Sequence, residues 1–549
     1  MINTDNSRKQ KIVIVGGGVA GLSAGIFGQR AGFDTVIYEK NNVAGGSCSG
    51  WYRDGYAIDN CLHWLTGTQK GTVTYDLWNE LGVLNDDTKI VKRKYFWASE
   101  YYGEVVHLWP DPEKTREEWL RLAPKDADEI NAFIDFVKIA NDAVSFPKNG
   151  PKEIADSISS MTKVIPPKEF LKRSMQYMGL RNIDWAKRFK SPLIQSLILD
   201  FCPKEYESYW LILAYSFYVA GNGDLIDGGS IKLAKILTDN YIASGGKLLT
   251  GTPVKKVKIG RSIIKNTIID EIEDKLNEIT VHKADGIILE NGDFIPADHV
   301  IIACDVNYAF NNLISKKYAP ISLKEIYKDR LKYTFYSAFQ VAMSVDSEFP
   351  EIPDSLTFPC APIEAAYQKY NRIGVKNYRV YGDYIAPKGE TVIQVSLDQY
   401  EKDCKYWKKL YESDVEKYKS AKRNVAEAIK NEIEKKYPQY EGRLKILDVW
   451  TPYSYLRRNN DTHGAFMRFI TTALSVNAFL SQEIKGLDNV YLAGHFIKYP
   501  GGLPTAAQTG KDAIEIIKTK EEKKIHFKER LKRIEDEIAT VGNDLIKMV

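Results

Sequence analysis

The residues with the clearest chemistry come early in the chain. Gly16-Gly17-Gly18-Val19-Ala20-Gly21, with the acid Glu39 about 20 residues further on, has the composition and spacing of a dinucleotide site. Gly16 allows a tight turn, Gly18 lets a pyrophosphate approach, and Gly21 lets a helix lie close to a sheet. Glu39 accepts hydrogen bonds from ribose hydroxyls and repels a 2′-phosphate, so the site excludes NADP and leaves NAD and FAD open. Lys40, Gly45, Gly46 and Ser47 come directly after and extend the cofactor-binding set. The candidates for proton transfer are His63, His495 and Tyr499, since an imidazole ionises near neutrality; each is equally suited to packing or hydrogen bonding. Arg457, Arg458 and His463 form a further polar cluster, either a bidentate carboxylate site or a solvated loop.

These residues need elements to hold them. Residues 11–15 read KIVIV, a β-branched run suited to a buried parallel strand, and lead straight into the glycines. Residues 22–31 read as a helix and 35–38 as a second strand ending on Glu39. The free N–H groups and positive end of that helix favour phosphates. Near the far end, 489–493 reads as a strand and Gly494 ends it. Tyr499-Pro500-Gly501-Gly502-Leu503-Pro504 then makes an irregular turn, whose last proline suits the first turn of a helix to about residue 517. A helix start beside an isoalloxazine stabilises its anionic reduced form, so FAD is the expected cofactor, with Gly494, Gly502, Leu503 and Pro504 in its site.

The stretch after Glu39 favours the same cofactor. Residues 41–49 read NNVAGGSCS and 50–68 read GWYRDGYAIDNCLHWLTGT. Here the chain resembles the FAD-dependent family of phytoene desaturases, carotenoid isomerases and retinol saturases. The matching residues are Gly45, Gly46, Asp54, Gly55, Tyr56 and Asp59, together with the later Pro-Gly-Gly, Leu-Pro and Thr-Gly of the closing segment. Ser47 stands where that family often has a basic residue, and Cys61 where it often has glycine. The resemblance implies non-covalent FAD, a backbone contact from Val254 to its adenosine half, and lipophilic substrates drawn from membranes.

The expected architecture is α/β. A Rossmann-like FAD-binding domain is stitched from 8–70, 225–310 and 445–518, and an α+β substrate domain, with a mixed sheet and helices, comes from 71–224 and 311–444. Between them, Asp227-Gly228-Gly229-Ser230 precedes an amphipathic helix over 231–243, and Glu290-Asn291-Gly292-Asp293 marks a hairpin. Aromatic runs such as Tyr95-Phe96-Trp97 and the YTFYSAF of 333–339 read as a pocket wall or as core. A charged helix over 519–549 carries an apolar stripe that would dock on the body or pair two subunits as a homodimer.

With 76 basic and 72 acidic residues the charges nearly cancel, which gives no support to a nucleic-acid surface. Six scattered cysteines show no metal or redox spacing and suit free thiols in a reducing, cytoplasmic setting. The opening residues carry no secretory pattern. The longest apolar stretch, 209–221, is shorter than the ~20 residues that span a bilayer and reads as a buried helix or strand. The mixed basic and apolar stretch 164–201 allows peripheral membrane contact. The function expected is an FAD-dependent oxidoreductase or isomerase acting on C=C bonds of an apolar isoprenoid, retinoid or fatty-acid-like substrate by hydride transfer at flavin N5. The alternatives are an amine-oxidase-type enzyme acting on a C–N bond and a non-catalytic lipid escort on the same fold.

Overall fold

The computed structural model describes residues 8–144, 168–267, 277–465, 467–470, 472, 475, 479–498 and 501–547. One sheet has five parallel strands in the order Lys247–Leu249, Asp34–Tyr38, Lys11–Val15, His299–Ile302 and Val490–Leu492. KIVIV is the central strand. Its alternate residues feed two cores: Ile12 and Ile14 face one way, Val13 and Val15 the other. A strand covered on both faces has to be apolar throughout, which is why the pattern is continuous rather than alternating.

Helices Val19–Arg30, Gly229–Ala243 and Gly502–Lys547 cover one face. Small residues let them approach closely. A Cβ on Gly25 would meet the Tyr241 ring at 2.5 Å, one on Gly510 would meet the Ala20 carbonyl oxygen at 2.4 Å, and Ser23 Oγ donates to the Ala507 carbonyl at 2.6 Å. The antiparallel strands Val254–Thr267, Asn277–Leu289 and Phe294–Pro296 pack on the other face through Val254, Val257 and Ile287. Gly292, at φ +95°, makes the tight turn expected of Glu290-Asn291-Gly292-Asp293.

A second sheet has seven strands in the order Leu444–Trp450, Tyr336–Val345, Thr391–Tyr400, Gln368–Asn377, Ser355–Ala365, Trp97–Tyr101 and Glu104–Leu108. It is mixed, because Ser355–Ala365 runs parallel to Trp97–Tyr101 and every other pairing is antiparallel. Strand alternation gives it two faces. Val341, Val375 and Val395 pack with residues of helices Glu401–Ser413 and Val415–Lys436, while Gln340, Lys376 and Gln394 look into a cavity. By sequence, 445–450 falls with the nucleotide sheet, but Leu444–Trp450 pairs with Tyr336–Val345. That pairing spans about a hundred residues and has no local signal.

Among the described residues, six α-helices from Pro112–Leu122 to Ser208–Val219 build a fourth, aromatic-rich core. The apolar 209–221 run lies mainly in the buried helix Ser208–Val219. The 164–201 stretch is not one amphipathic element. Residues 164–167 lie outside the described residues, and the rest forms Lys168–Tyr177, Asn182–Ala186 and Pro192–Phe201, interrupted at Gly179 (φ +80°) and at Pro192. The closing helix also differs from expectation, running unbroken over Gly502–Lys547 with no stop near 517. The Lys- and Glu-rich 518–524 contains no proline or glycine to end it. No described helix is long and apolar enough to cross a membrane.

Candidate functional site

The glycine segment and the double-glycine turn cross at close range. Gly45 N donates to the Gly17 carbonyl at 2.8 Å, and a Cβ on Gly46 would stand 3.1 Å from Gly18 Cα. Gly16 has φ +108°, and a Cβ there would meet the Ala303 carbonyl oxygen at 2.7 Å. Gly21 lies beneath the turn, with no space for a Cβ, which would sit 2.0 Å from the Gly16 carbonyl oxygen. Gly18 differs. Its φ is −75°, open to any residue, and a Cβ would meet nothing of the protein closer than 3.8 Å. The helix it caps has no side-chain cap, so its first N–H groups are left for a ligand.

Glu39 stands at the end of the second strand. Its Oε2 accepts from Gly17 N at 2.7 Å, and Oε1 accepts from Asn41 N at 2.8 Å and Asn41 Nδ2 at 2.7 Å. A carboxylate has about four lone-pair sites, so one acceptor direction remains. Helix Pro452–Asn459 closes over this corner. Arg458 Nε donates to the Gly46 carbonyl at 3.3 Å, Asn459 Nδ2 to Ser47 Oγ at 2.9 Å, and Lys40 Nζ to Asn460 Oδ1 at 2.6 Å. Arg458 and Arg457 therefore part company. The Arg457 guanidinium lies 4.9 Å from the Tyr411 ring centroid, and His463 stacks on Tyr327 beside Glu401. The three do not form one carboxylate site; Arg458 belongs to the glycine cradle.

The Asp-Gly hairpin positions the segment that runs on from it. Asp54 (φ 52°) and Gly55 (φ 88°) give the two positive dihedrals of a type I′ turn. Asp59 is then buried, accepting from Ser230 N at 2.6 Å, Ser230 Oγ at 2.7 Å, Cys61 N at 3.0 Å and Leu62 N at 3.1 Å. This anchors the chain so that His63 and Trp64 enter the cavity.

That cavity measures about 1400 Å³. Gly16, Gly18, Val19, Ala20, Glu39, Lys40, Gly45, Gly46, Ser47, Val254, Gly494, Gly502, Leu503 and Pro504 all line it, as do His63 and His495. Gly21 sits behind the lining, and Tyr499 lies outside the described residues. The two ends of the chain thus meet around one space. Beyond the glycines the walls are aromatic. Trp64 lies 5.5 Å from Phe96, and Trp97 lies 5.4 Å from Phe201, centroid to centroid. The cavity-facing row of the seven-stranded sheet forms the floor, with Gln340 Nε2 donating to Tyr455 Oη at 2.6 Å and Gln394 Nε2 to the Asp59 carbonyl at 3.0 Å.

Both histidines are poorer bases than their type suggested. Burial, with Arg468 adding to it, holds His495 down to about 4. Burial, Lys376 and Arg93 hold His63 well below its ordinary value. His63 presents surface, but that surface belongs to the cavity, so its charged form is desolvated. Near neutral pH both rings are neutral hydrogen-bonding groups and carry no imidazolium proton to give. Asp398, also lining the cavity, is raised to about 6 by burial and by Glu205. Sequence reasoning missed Arg93, Lys376, Gln340, Gln394 and Asp398, none of which lies in a motif: Arg93 sits in the basic run Lys92-Arg93-Lys94, and Gln340 and Gln394 are single polar residues in apolar strands.

The cradle fits a flavin dinucleotide: Gly18 is glycine at a place where the protein itself leaves room for a side chain, and uncapped helix N–H groups face that room. Comparison with known proteins agrees. A family model described as flavin containing amine oxidoreductase matches residues 19–517. The 4,4'-diaponeurosporene oxygenases of Staphylococcus aureus and Staphylococcus haemolyticus are 20% identical over 532 and 537 residues, covering 93% of this chain and 99% and 97% of theirs. Among solved structures, cyclohexylamine oxidase from Brevibacterium oxydans aligns with a TM-score of 0.54 at 14% identity, over 94% of this chain and 100% of that one. An oxidoreductase from Methanosarcina mazei aligns with a TM-score of 0.53 at 17% identity, over 92% and 100%. The chain belongs to the flavin-containing amine oxidoreductase family and is an FAD-dependent oxidoreductase with that family's fold.

Proposed function

We propose that the chain acts on C=C bonds of a long apolar substrate of isoprenoid, retinoid or fatty-acid-like type. The observation that carries this reading is the continuity of the glycine cradle with an aromatic-walled cavity. Such walls bind extended, unsaturated chains through area and ring contacts rather than through charge. The activity for which the Staphylococcus relatives are named, 4,4'-diaponeurosporene oxygenase, supports an apolar substrate.

In this reading the FAD phosphates would lie against Gly18, Gly46 and the start of helix Val19–Arg30, with a ribose at Glu39 and the ring toward Gly494 and Gly502. Bound there, FAD supplies two-electron redox chemistry. The chain's own residues do the rest. Aromatic walls exclude water and hold the chain of the substrate. Gln340, Gln394 and the neutral His63 and His495 orient what lies above the floor. Asp398, raised to about 6, is one lining group matched to hold or release a proton near neutrality.

The test is incubation of the purified, flavin-loaded protein with a lipid extract, read by chromatography and mass. A mass change of about 2 Da marks saturation or desaturation, since one hydride and one proton are exchanged. A retention change at constant mass marks isomerisation. Hydrogen peroxide release with alkylamines, and no lipid turnover, would overturn the proposal in favour of C–N oxidation.

A further inference from the structure

Two cations, Lys376 and Arg93, line the cavity, with Asp354 acting on both at longer range than an ion pair. Lys376 stands on the floor strand Gln368–Asn377, paired with Gln394 on one side and Ser355 on the other. Its Nζ lies 3.0 Å from His63 Nδ1 and 5.3 and 5.1 Å from the Tyr378 and Tyr381 rings. Arg93 enters from the wall, 8% exposed, with its guanidinium 5.1 Å from Phe96 and 4.7 Å from Tyr218. Arg93 Nη2 donates to the Gly223 carbonyl at 2.9 Å, and Nε has no partner among the described residues.

Neither cation has an ion pair among the described residues. The nearby acids are engaged elsewhere. Asp59 accepts from Ser230, Cys61 and Leu62, Asp354 Oδ2 accepts from Lys94 N at 2.7 Å and Tyr95 N at 3.2 Å, and Asp224 faces Lys92 at 3.5 Å. Burial first, and then Arg93, push the Lys376 ammonium down to about 7 against the opposing pull of Asp59 and Asp354. A buried charge without a partner costs several kcal/mol, so a pair of them facing a cavity marks where an anion belongs. Arginine adds a planar donor fork that matches a carboxylate.

We propose that Arg93 and Lys376, with His63 beside them, form a carboxylate-binding subsite, so that the substrate is a long apolar chain ending in a carboxylate. The inference rests on reading the aromatic cavity as a lipid site and narrows that reading to an amphiphile. The N–H groups that would receive the cofactor's phosphates belong to the glycine turn and the start of helix Val19–Arg30, and neither cation bonds to that segment. Arg457 and Arg458 carry the sequence pattern of a carboxylate site; the structure offers one at a different pair, separated by almost three hundred residues.

The experiment measures binding of dodecanoate and of methyl dodecanoate, below their aggregation concentrations, to the flavin-loaded protein by calorimetry and by flavin absorbance. The acid should bind about 10- to 100-fold tighter than the ester, the range expected for hydrogen bonds to a charged group. Lys376→Gln and Arg93→Gln should each erase most of that preference while ester affinity stays the same. Equal affinity of the wild-type protein for acid and ester overturns the subsite and leaves the apolar-substrate reading standing. Binding of neither probe overturns both. Loss of flavin from Lys376→Gln also overturns the subsite, since the cations would then serve the cofactor.

Discussion

Glycines that look alike in the sequence have different reasons to be glycine. At Gly21 a methyl group would sit 2.0 Å from the Gly16 carbonyl oxygen, so the constraint is the protein's own packing. At Gly18 the nearest protein atom would be 3.8 Å away, so the constraint comes from the ligand. Gly21→Ala should therefore lower stability by on the order of 3 kcal/mol. Gly18→Ala should fold with stability within about 1 kcal/mol of wild type and purify with little or no flavin. Thermal melts and the visible flavin band separate the two. Glu39→Arg should also lose flavin, because it replaces the acceptor of the Gly17 and Asn41 N–H bonds with a cation at the ribose position. The glycine and acid positions were legible because each acts within a single short segment. Lys376 and Arg93 were not, because a cation outside any motif acquires meaning only when long-range packing brings it to the same cavity as another.

At the cradle two helices approach closely. Gly510 meets Ala20 where a Cβ would stand 2.4 Å from the carbonyl oxygen, and Ser23 Oγ bonds the Ala507 carbonyl. Gly510→Leu should push the closing helix off the glycine-segment helix, costing on the order of 3 kcal/mol and lowering flavin occupancy in parallel, as equilibrium unfolding with and without added FAD would read. Further along the same helix the contacts thin out. Glu521 still meets Gln10 at 2.7 Å and His299 at 3.5 Å, but His526 and Phe527 are exposed. A chain ending at residue 525 should keep its flavin and its melting temperature; a change of molar mass by light scattering would assign the tail to subunit pairing. Strands and helices with local periodicity, such as KIVIV and the 502–517 helix, were readable from sequence. The length of the closing helix was not, since nothing in its charged half signals a stop, and neither was the membership of Leu444–Trp450, because antiparallel pairing is decided by a partner about a hundred residues away.

For the molecule as a whole, the buried titrating groups pull in opposite directions. His495 sits near 4 when folded and near 6.5 when unfolded, so the unfolded chain binds the extra proton between those values. Its stabilising contribution is present above about 6.5 and is lost as pH falls toward 4. Asp398, near 6 when folded and near 3.9 when unfolded, does the reverse; its contribution is present below about 3.9 and is lost as pH rises toward 6. His495→Gln should therefore show a smaller drop in melting temperature between pH 7 and pH 5 than the wild-type protein, measured at matched ionic strength.

The parallel sheet also dictates when the protein can become active. Its central strand, Lys11–Val15, lies between neighbours at 34–38 and 299–302, and the outer strand at 490–492 is made almost two hundred residues after the last of these. At ribosomal speeds of about 5–20 residues per second, the first strand waits on the order of half a minute or longer for the last. During that interval the nascent chain carries the glycine turn without the segment that closes over the ring. Flavin capture is therefore expected to wait until residues 490–504, which supply the last wall of the cavity, have been made.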